Sequence, residues 1–303
     1  MTELTRRQFG KLSAAAFLAG PLASLSSVSL AGNPTGKKLH GLSAFGELKY
    51  PPDYTHFDYV NVDAPKGGTF NFSIPNWAFN QNPQTFDTLN TFVLKGNAPP
   101  RMEACYDALM VAAADEPSAL YGGLTESVEI AEDRNSYFFV LRPESSWHDG
   151  SPITAEDVAF TYATFKEKGH PSIALALRHL DRAEALDDRT VKLVFTGEQS
   201  DRAILSASVM PIISKAFYTA NSFTETTLTP PPGSGPYKVG NLAAGSFIEY
   251  ERVNNYWAKD MPFARGQFNF DVLRIEFYRD RQAAFEAFKK GKVAWRQEFT
   301  SKV

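Results

Sequence analysis

Cysteine is nearly absent from this 303-residue chain. Cys105 is the only one, so no internal disulfide can form and a disulfide-stapled module is excluded. No Cys/His cluster has metal-ligand spacing, and no cofactor is expected. Positive charge is not in excess. Lys and Arg number 31 against 34 Asp and Glu, a net charge of −3. Setting aside the first 31 residues, with Arg6, Arg7 and Lys11 against Glu3, makes the balance more acidic. A nucleic-acid binder would present a basic face, so that partner is not expected. Beyond residue 31 no apolar run is long enough to span a bilayer as a helix. A phosphate loop is missing too. Residues 233–237, GSGPY, hold two glycines but lack the lysine and the spacing of that motif.

What is present is apolar and aromatic. A hydrophobic fraction of 43% and an aromatic fraction of 13% suit a well-packed core, and the length allows more than one domain. The opening reads as an export signal rather than as part of the fold. Arg6, Arg7, Gln8, Phe9 and Lys11 precede an apolar run over residues 12–25, and Ser29, Leu30 and Ala31 offer a small-residue cleavage point. The paired arginines with Phe9 two places on are twin-arginine-like. Gly20, Pro21 and several serines interrupt the run, which argues against a membrane anchor. Export to the periplasm by the twin-arginine machinery is expected, with cleavage near Ala31.

Residues 136–165, SYFFVLRPESSWHDGSPITAEDVAFTYATF, organise the rest. The run from Tyr137 to Leu141 has the aromatic and β-branched content of a strand with a buried face. Pro143 ends it, and His148, Asp149, Gly150, Ser151 and Pro152 are turn formers. Thr154 and Asp157 are spaced for a capping box, with Ile153 and Val158 placed for a hydrophobic staple. Val158, Tyr162 and Phe165 then recur at helical spacing. His148 beside Asp149 is a turn rather than a metal or catalytic pair, because adjacent turn residues point in different directions.

Elsewhere Phe70, Phe72 and Ile74 alternate with polar residues as a half-buried strand. Two hairpins are expected. One turns at residues 133–135 between Val128–Ile130 and the Tyr137 run, the other at residues 187–189 between 183–186 and 191–195. Residues 101–111, RMEACYDALMV, have a helix-like apolar pattern in which Cys105 serves as core filler. Pro211 breaks any single helix across residues 200–220. Residues 247–252 and 272–277 read as strands. Asp280 can cap a helix over 281–290 that Gly291 stops, and Val293, Ala294 and Trp295 begin one more strand. The loop after the first strand, PNWAFNQNPQTF at 75–86, is rich in amides and aromatics. Ligands of α/β folds gather on loops beyond strand ends. Asn80, Gln81 and Asn82 could hydrogen-bond an extended peptide, and Trp77 and Phe79 could pack on its side chains. The same loop is read equally well as solvated, with its aromatics turned into the core.

The run from Trp147 to Val158, WHDGSPITAEDV, resembles the signature of the peptide/nickel class (family 5) of bacterial ABC-transporter solute-binding proteins. The entrance, from Leu39-His40-Gly41-Leu42 to Gly67-Gly68-Thr69, resembles the branch serving oligopeptide and microcin C uptake. Gly233-Ser234-Gly235-Pro236-Tyr237 and Asn254-Asn255-Tyr256-Trp257 resemble further family segments. The resemblance implies an α/β fold, type II periplasmic-binding-protein-like, with a first lobe plus an inserted α+β subdomain and the second lobe largely missing, as in an N-terminal fragment. It divides the chain into a signal (1–31), a first part of lobe I (32–85), the inserted subdomain (86–220), and a return to lobe I with the start of the crossover to lobe II (221–303). It implies a non-enzymatic, monomeric periplasmic protein that captures oligopeptides, peptide antibiotics such as microcin C included, for an inner-membrane ABC permease. The alternative from another class is a secreted hydrolase or other twin-arginine-exported enzyme, yet no carboxylate pair sits in a recognisable active-site motif.

Overall fold

The computed structural model describes residues 30–73 and 78–297. Arg6, Arg7, Ile74 and Trp77 lie outside the described residues.

The organising stretch folds as its residues dictate. β6 (Thr125–Ile130) and β7 (Ser136–Leu141) form an antiparallel hairpin. Its turn is tightened by the Asp133 carboxylate, which accepts from Asn135 N at 2.9 Å. β8 (Leu180–Ala185) and β9 (Thr190–Phe195) form the second hairpin, and β9 pairs with β7. The resulting sheet has the order β1-β6-β7-β9-β8, with β1 at Lys38–Leu39. Helix α1 (Ala155–Lys168) crosses from β7 towards β8. Its capping box is complete: Asp157 N donates to Thr154 Oγ1 at 3.3 Å, and Thr154 N donates to Asp157 Oδ2 at 3.0 Å. Asp157 also accepts from Lys215 N at 2.9 Å, which ties α4 (Lys215–Ala220) to the same cap. Ile153, Val158, Tyr162 and Phe165 are all buried. At the corner before the helix, His148 turns inward, its Nε2 2.8 Å from Gly235 O, while Asp149 turns outward and accepts from Ser151 N and Oγ. The two neighbours diverge as a turn requires. Between α2 (Pro171–Ala176) and α4 lies α3 (Asp201–Ser208), so Pro211 falls between two short helices.

The second five-stranded sheet is mixed, with parallel and antiparallel pairs. Its order is β10 (Tyr237–Ala243), β11 (Phe247–Arg252), β12 (Val272–Glu276), β3 (Thr69–Ser73), β13 (Trp295–Arg296). β12 and β13 both run parallel to β3, one on each side. Helix α5 (Arg281–Lys289) makes the crossover between them, capped by Asp280 Oδ1 on Ala283 N at 2.7 Å. Gly291 follows with φ +69°, a backbone angle that side chains other than glycine resist. One continuous apolar core includes Phe72, Ile248, Tyr250 and Ile275 of this sheet and Val128, Phe139 and Leu193 of the first.

Two expectations differ from the structure. Residues 101–111 are not one helix. A single 3-10 turn, Met102–Cys105, is followed by extended chain and then β4 (Met110–Ala112). The reason is tertiary. Cys105 O accepts from both Ser234 N and Gly235 N at 3.0 Å, and Asp107 O accepts from Ile212 N at 2.9 Å, so these carbonyls serve distant segments instead of a helix ladder. Cys105 is buried as core filler, and burial pushes its thiol far above the ordinary range. The second difference concerns the entrance. β1 and β2 (Gly41–Ser43) were grouped with β3 by the expected division, but they hydrogen-bond to β6 and to β5 (Ala119–Gly122). Hydrogen bonding therefore sorts residues 38–43 with the strands of the 86–220 segment.

A polar cluster centres on Asp107. The Asp107 carboxylate accepts from Tyr256 OH at 2.8 Å and from Trp257 Nε1 at 2.7 Å, while Asp107 N donates to Ser234 Oγ at 2.9 Å. Burial pushes this carboxyl up to about 7 against the opposing pull of those donors.

Candidate ligand-binding cleft

β3 and β13 end on the same side of the second sheet, and the chain enters α5 there after β12. Open α/β sheets bind ligands outside the carboxyl ends of their parallel strands, where the chain leaves in different directions. A cleft of about 550 Å³ lies at that place. It is lined by Ser73 at the end of β3, Arg296 at the end of β13, the loop over 79–84, and Tyr278, Asp280 and Arg281 at the start of α5. Leu94, Asn97 and His170 also line it.

Phe79, Asn80, Gln81 and Asn82 all line this cleft. Their amides are largely engaged in building the loop. Gln81 is buried; its Nε2 donates to Thr91 Oγ1 at 3.1 Å and Glu103 Oε2 at 2.9 Å, and its Oε1 accepts from Ala78 N. Asn82 Nδ2 donates to Asn97 Oδ1 at 3.0 Å, and its Oδ1 accepts from Gln84 N at 2.8 Å. Asn80 Nδ2 donates to the Asn90 and Lys95 carbonyls, whereas its Oδ1 is buried with no donor among the described residues. The main chain is pinned as well: Ala98 N donates to Asn80 O, and Asn82 N donates to Ala98 O. Phe79 takes a left-handed backbone, φ +54°, which is costly for an aromatic residue and is held here by this network. Its ring is half-buried beside Phe92 and His170.

Sequence reasoning missed the rest of the lining. His170 sits at the N-cap of α2, Nδ1 2.7 Å from Ser172 Oγ, and burial holds its ring below the usual histidine range. Asp280 is held below the usual carboxylate range by the Ala283 N–H it caps, with Arg279 helping. Arg281 follows it, and Arg296 lies with its guanidinium 4.7 Å over the Phe285 ring. The Asp280 cap was legible; that it opens onto the same cleft as residues 79–82 required the parallel pairing of β3 with β13. Among the described residues no group of three or more His, Cys, Asp or Glu is placed to hold a metal, and no helix is long and apolar enough to cross a membrane.

A mixed α/β chain with its cleft at the strand ends has the architecture of a periplasmic binding protein. The chain belongs to the bacterial extracellular solute-binding proteins, family 5, whose profile ("family 5 Middle") matches residues 119–302. It is 36% identical over 296 residues to the peptidoglycan-binding protein YepA of Agrobacterium fabrum, covering 95% of this chain and 46% of YepA. It is also 36% identical over 268 residues to the "Probable peptide-binding protein YejA" of the same organism, covering 86% of this chain and 42% of that protein. The chain thus spans under half the length of these relatives. The mannohexaose-bound periplasmic oligopeptide-binding protein of a Thermotoga maritima ABC transporter shares the fold, with a TM-score of 0.59 at 21% identity over 79% of this chain and 43% of that one.

Proposed function

We propose that this protein is the substrate-binding component of an ABC importer and that it captures oligopeptides, peptide antibiotics such as microcin C among them. It is exported through the twin-arginine route, acts as a monomer in the periplasm, and delivers its ligand to an inner-membrane ABC permease. The observation that carries this reading is the cleft at the ends of β3 and β13 with its pinned amide loop. An extended peptide lies against the wall formed by Phe79, Asn80, Gln81 and Asn82, with Trp77 in the same loop. Main-chain hydrogen bonds supply affinity without reading the peptide's sequence, and Leu94 and Tyr278 offer apolar surface to its side chains. Ligand contacts to two lobes shift the population towards a closed form. No covalent bond changes. The names borne by YepA and YejA in Agrobacterium fabrum, one peptidoglycan-binding and one peptide-binding, support a peptide-bearing ligand. Calorimetric titration of the purified protein with a mixed oligopeptide pool tests the reading, with the pool analysed by mass spectrometry afterwards. Saturable heat with an unchanged pool is expected; cleaved peptides, or no heat at all, would overturn it.

A further inference from the structure

The cleft lies where β3 and β13 end. At the other end of the same sheet β3 and β12 begin side by side, with Thr69 beside Val272. The segments leading into them are laced together there. Gly67 N donates to Asn269 O at 2.8 Å and Gly68 N to Asp271 Oδ2 at 3.2 Å, while Arg252 N, at the end of β11, donates to Asp271 O at 2.7 Å. Beside this lacing is a second cavity, of about 160 Å³. That is well short of the roughly 300–1,000 Å³ of clefts that take drug-sized ligands, so only a small species fits. Three cations, Lys66, Arg252 and Lys259, and one carboxylate, Asp260, line it. Asp271 lies outside the lining and pairs with Arg252 Nη2, which offsets one of the three. Arg252 Nε is still buried with no acceptor among the described residues, and an unpaired buried donor is costly. Lys66 Nζ donates to two neutral oxygens, Gln267 O at 2.7 Å and Asn269 Oδ1 at 3.3 Å. Partial burial and, after it, the charge of Arg252 hold Lys66 below the usual lysine range, so these two cations lie close enough to repel. Neither lysine enters an ion pair among the described residues, and neither does Asp260. With Asp271 set against Arg252 and Asp260 against one lysine, one positive charge is left over.

We propose that this cavity binds one small oxyanion of the phosphate or sulfate class, held between Lys66, Arg252 and Lys259. The site is separate from the peptide cleft and does not depend on the peptide reading. An anion placed there turns the repulsion between Lys66 and Arg252 into two attractions. Its several oxygens accept from an ammonium and a guanidinium at once, and such charge-assisted hydrogen bonds are the strong ones. It also ties together three stretches of chain: the approach to β3, the end of β11 and the turns that follow it.

The test is equilibrium dialysis of the purified protein against radiolabelled sulfate, and separately phosphate, at constant ionic strength set with chloride. One saturable equivalent is expected, and an excess of mixed oligopeptides should not displace it. Lys66→Gln and Lys259→Gln should each weaken binding by roughly threefold to tenfold, the range of a charge-assisted contact at a partly exposed site. Asp260→Asn removes the one carboxylate from the lining and should tighten binding. Lys259 is exposed, so its replacement leaves the fold intact. Sulfate should also raise the melting temperature of the unaltered protein more than that of Lys259→Gln, since the general stabilising effect of sulfate acts on both alike. Absence of saturable binding, displacement by peptide, or an affinity unmoved by Lys259→Gln and by Asp260→Asn overturns the site. None of these results bears on whether the cleft takes peptides, except displacement, which would assign the anion to the cleft instead.

Discussion

Asp107 offers the sharpest test of how the fold is held together. Its carboxyl is raised to about 7, first by burial, while Trp257, Tyr256 and Ser234 pull it down. A carboxyl raised in the folded state stays protonated there at a pH where the unfolded chain has released its proton. The native state then binds more protons than the unfolded one, so stability falls as pH rises from about 4 to about 7 and levels off above. With an unfolded value near 3.8, the expected loss between pH 5 and pH 8 is about 2–3 kcal/mol, at about 1.4 kcal/mol per unit. Asp107→Asn keeps the shape and an acceptor for Trp257 Nε1 but cannot titrate. Urea unfolding of both proteins, followed by tryptophan fluorescence at pH 5 and pH 8, isolates the effect. The difference in stability between them should move by that amount in favour of the asparagine variant as pH rises. Parallel pH dependence in the two proteins would refute the argument, because it would mean that Asp107 keeps an ordinary carboxylate in the fold. Asp107→Ala at pH 5 should cost about 2–6 kcal/mol, since two donors lose their acceptor at about 1–3 kcal/mol each.

The cap of α1 should show a graded loss in the same unfolding assay. Thr154→Ala should cost about 1 kcal/mol, and Asp157→Ala more, roughly 2 kcal/mol, because Asp157 also accepts from Lys215 N. Gly233→Ala drives a Cβ into Cys105 O, a backbone atom that cannot swing away, and should lower the melting temperature markedly; an unchanged melt would contradict that packing. Cys105 should resist thiol reagents in the native protein at pH 8 and react fully in denaturant, given a buried thiol pushed far above its ordinary range. Gln81→Ala should destabilise by about 1–3 kcal/mol through the loss of its bonds to Thr91 and Glu103, and should weaken peptide binding by loosening the cleft wall.

Legibility in the sequence followed the range of the interactions. The capping box, the turns at 133–135 and 187–189, the break at Pro211 and the Asp280 cap each depend on residues a few positions apart, and each was read from the chain. Residues 101–111 misled for the complementary reason. Their apolar spacing suits a helix, but the partners that draw out Cys105 O and Asp107 O are Ser234, Gly235 and Ile212, more than a hundred positions away. The loop at 79–82 was placed on a cleft by its composition and its position after a strand. Whether its amides reach out to a ligand or build the loop was left open by the chain, and most of them build the loop.

The sequence by itself determined the two hairpins around β7 and β9, the strands at β3, β11 and β12, the caps of α1 and α5, the buried cysteine and the family, because these rest on local patterning and on runs of residues long enough to be specific. Only the tertiary structure decided which residues share the cleft. Residues 79–84, 278–281 and 296 meet because β12 and β13 pair in parallel on either side of β3, with α5 crossing between them. That pairing depends on main-chain hydrogen bonds between segments some two hundred residues apart, and backbone amides are alike in every sequence.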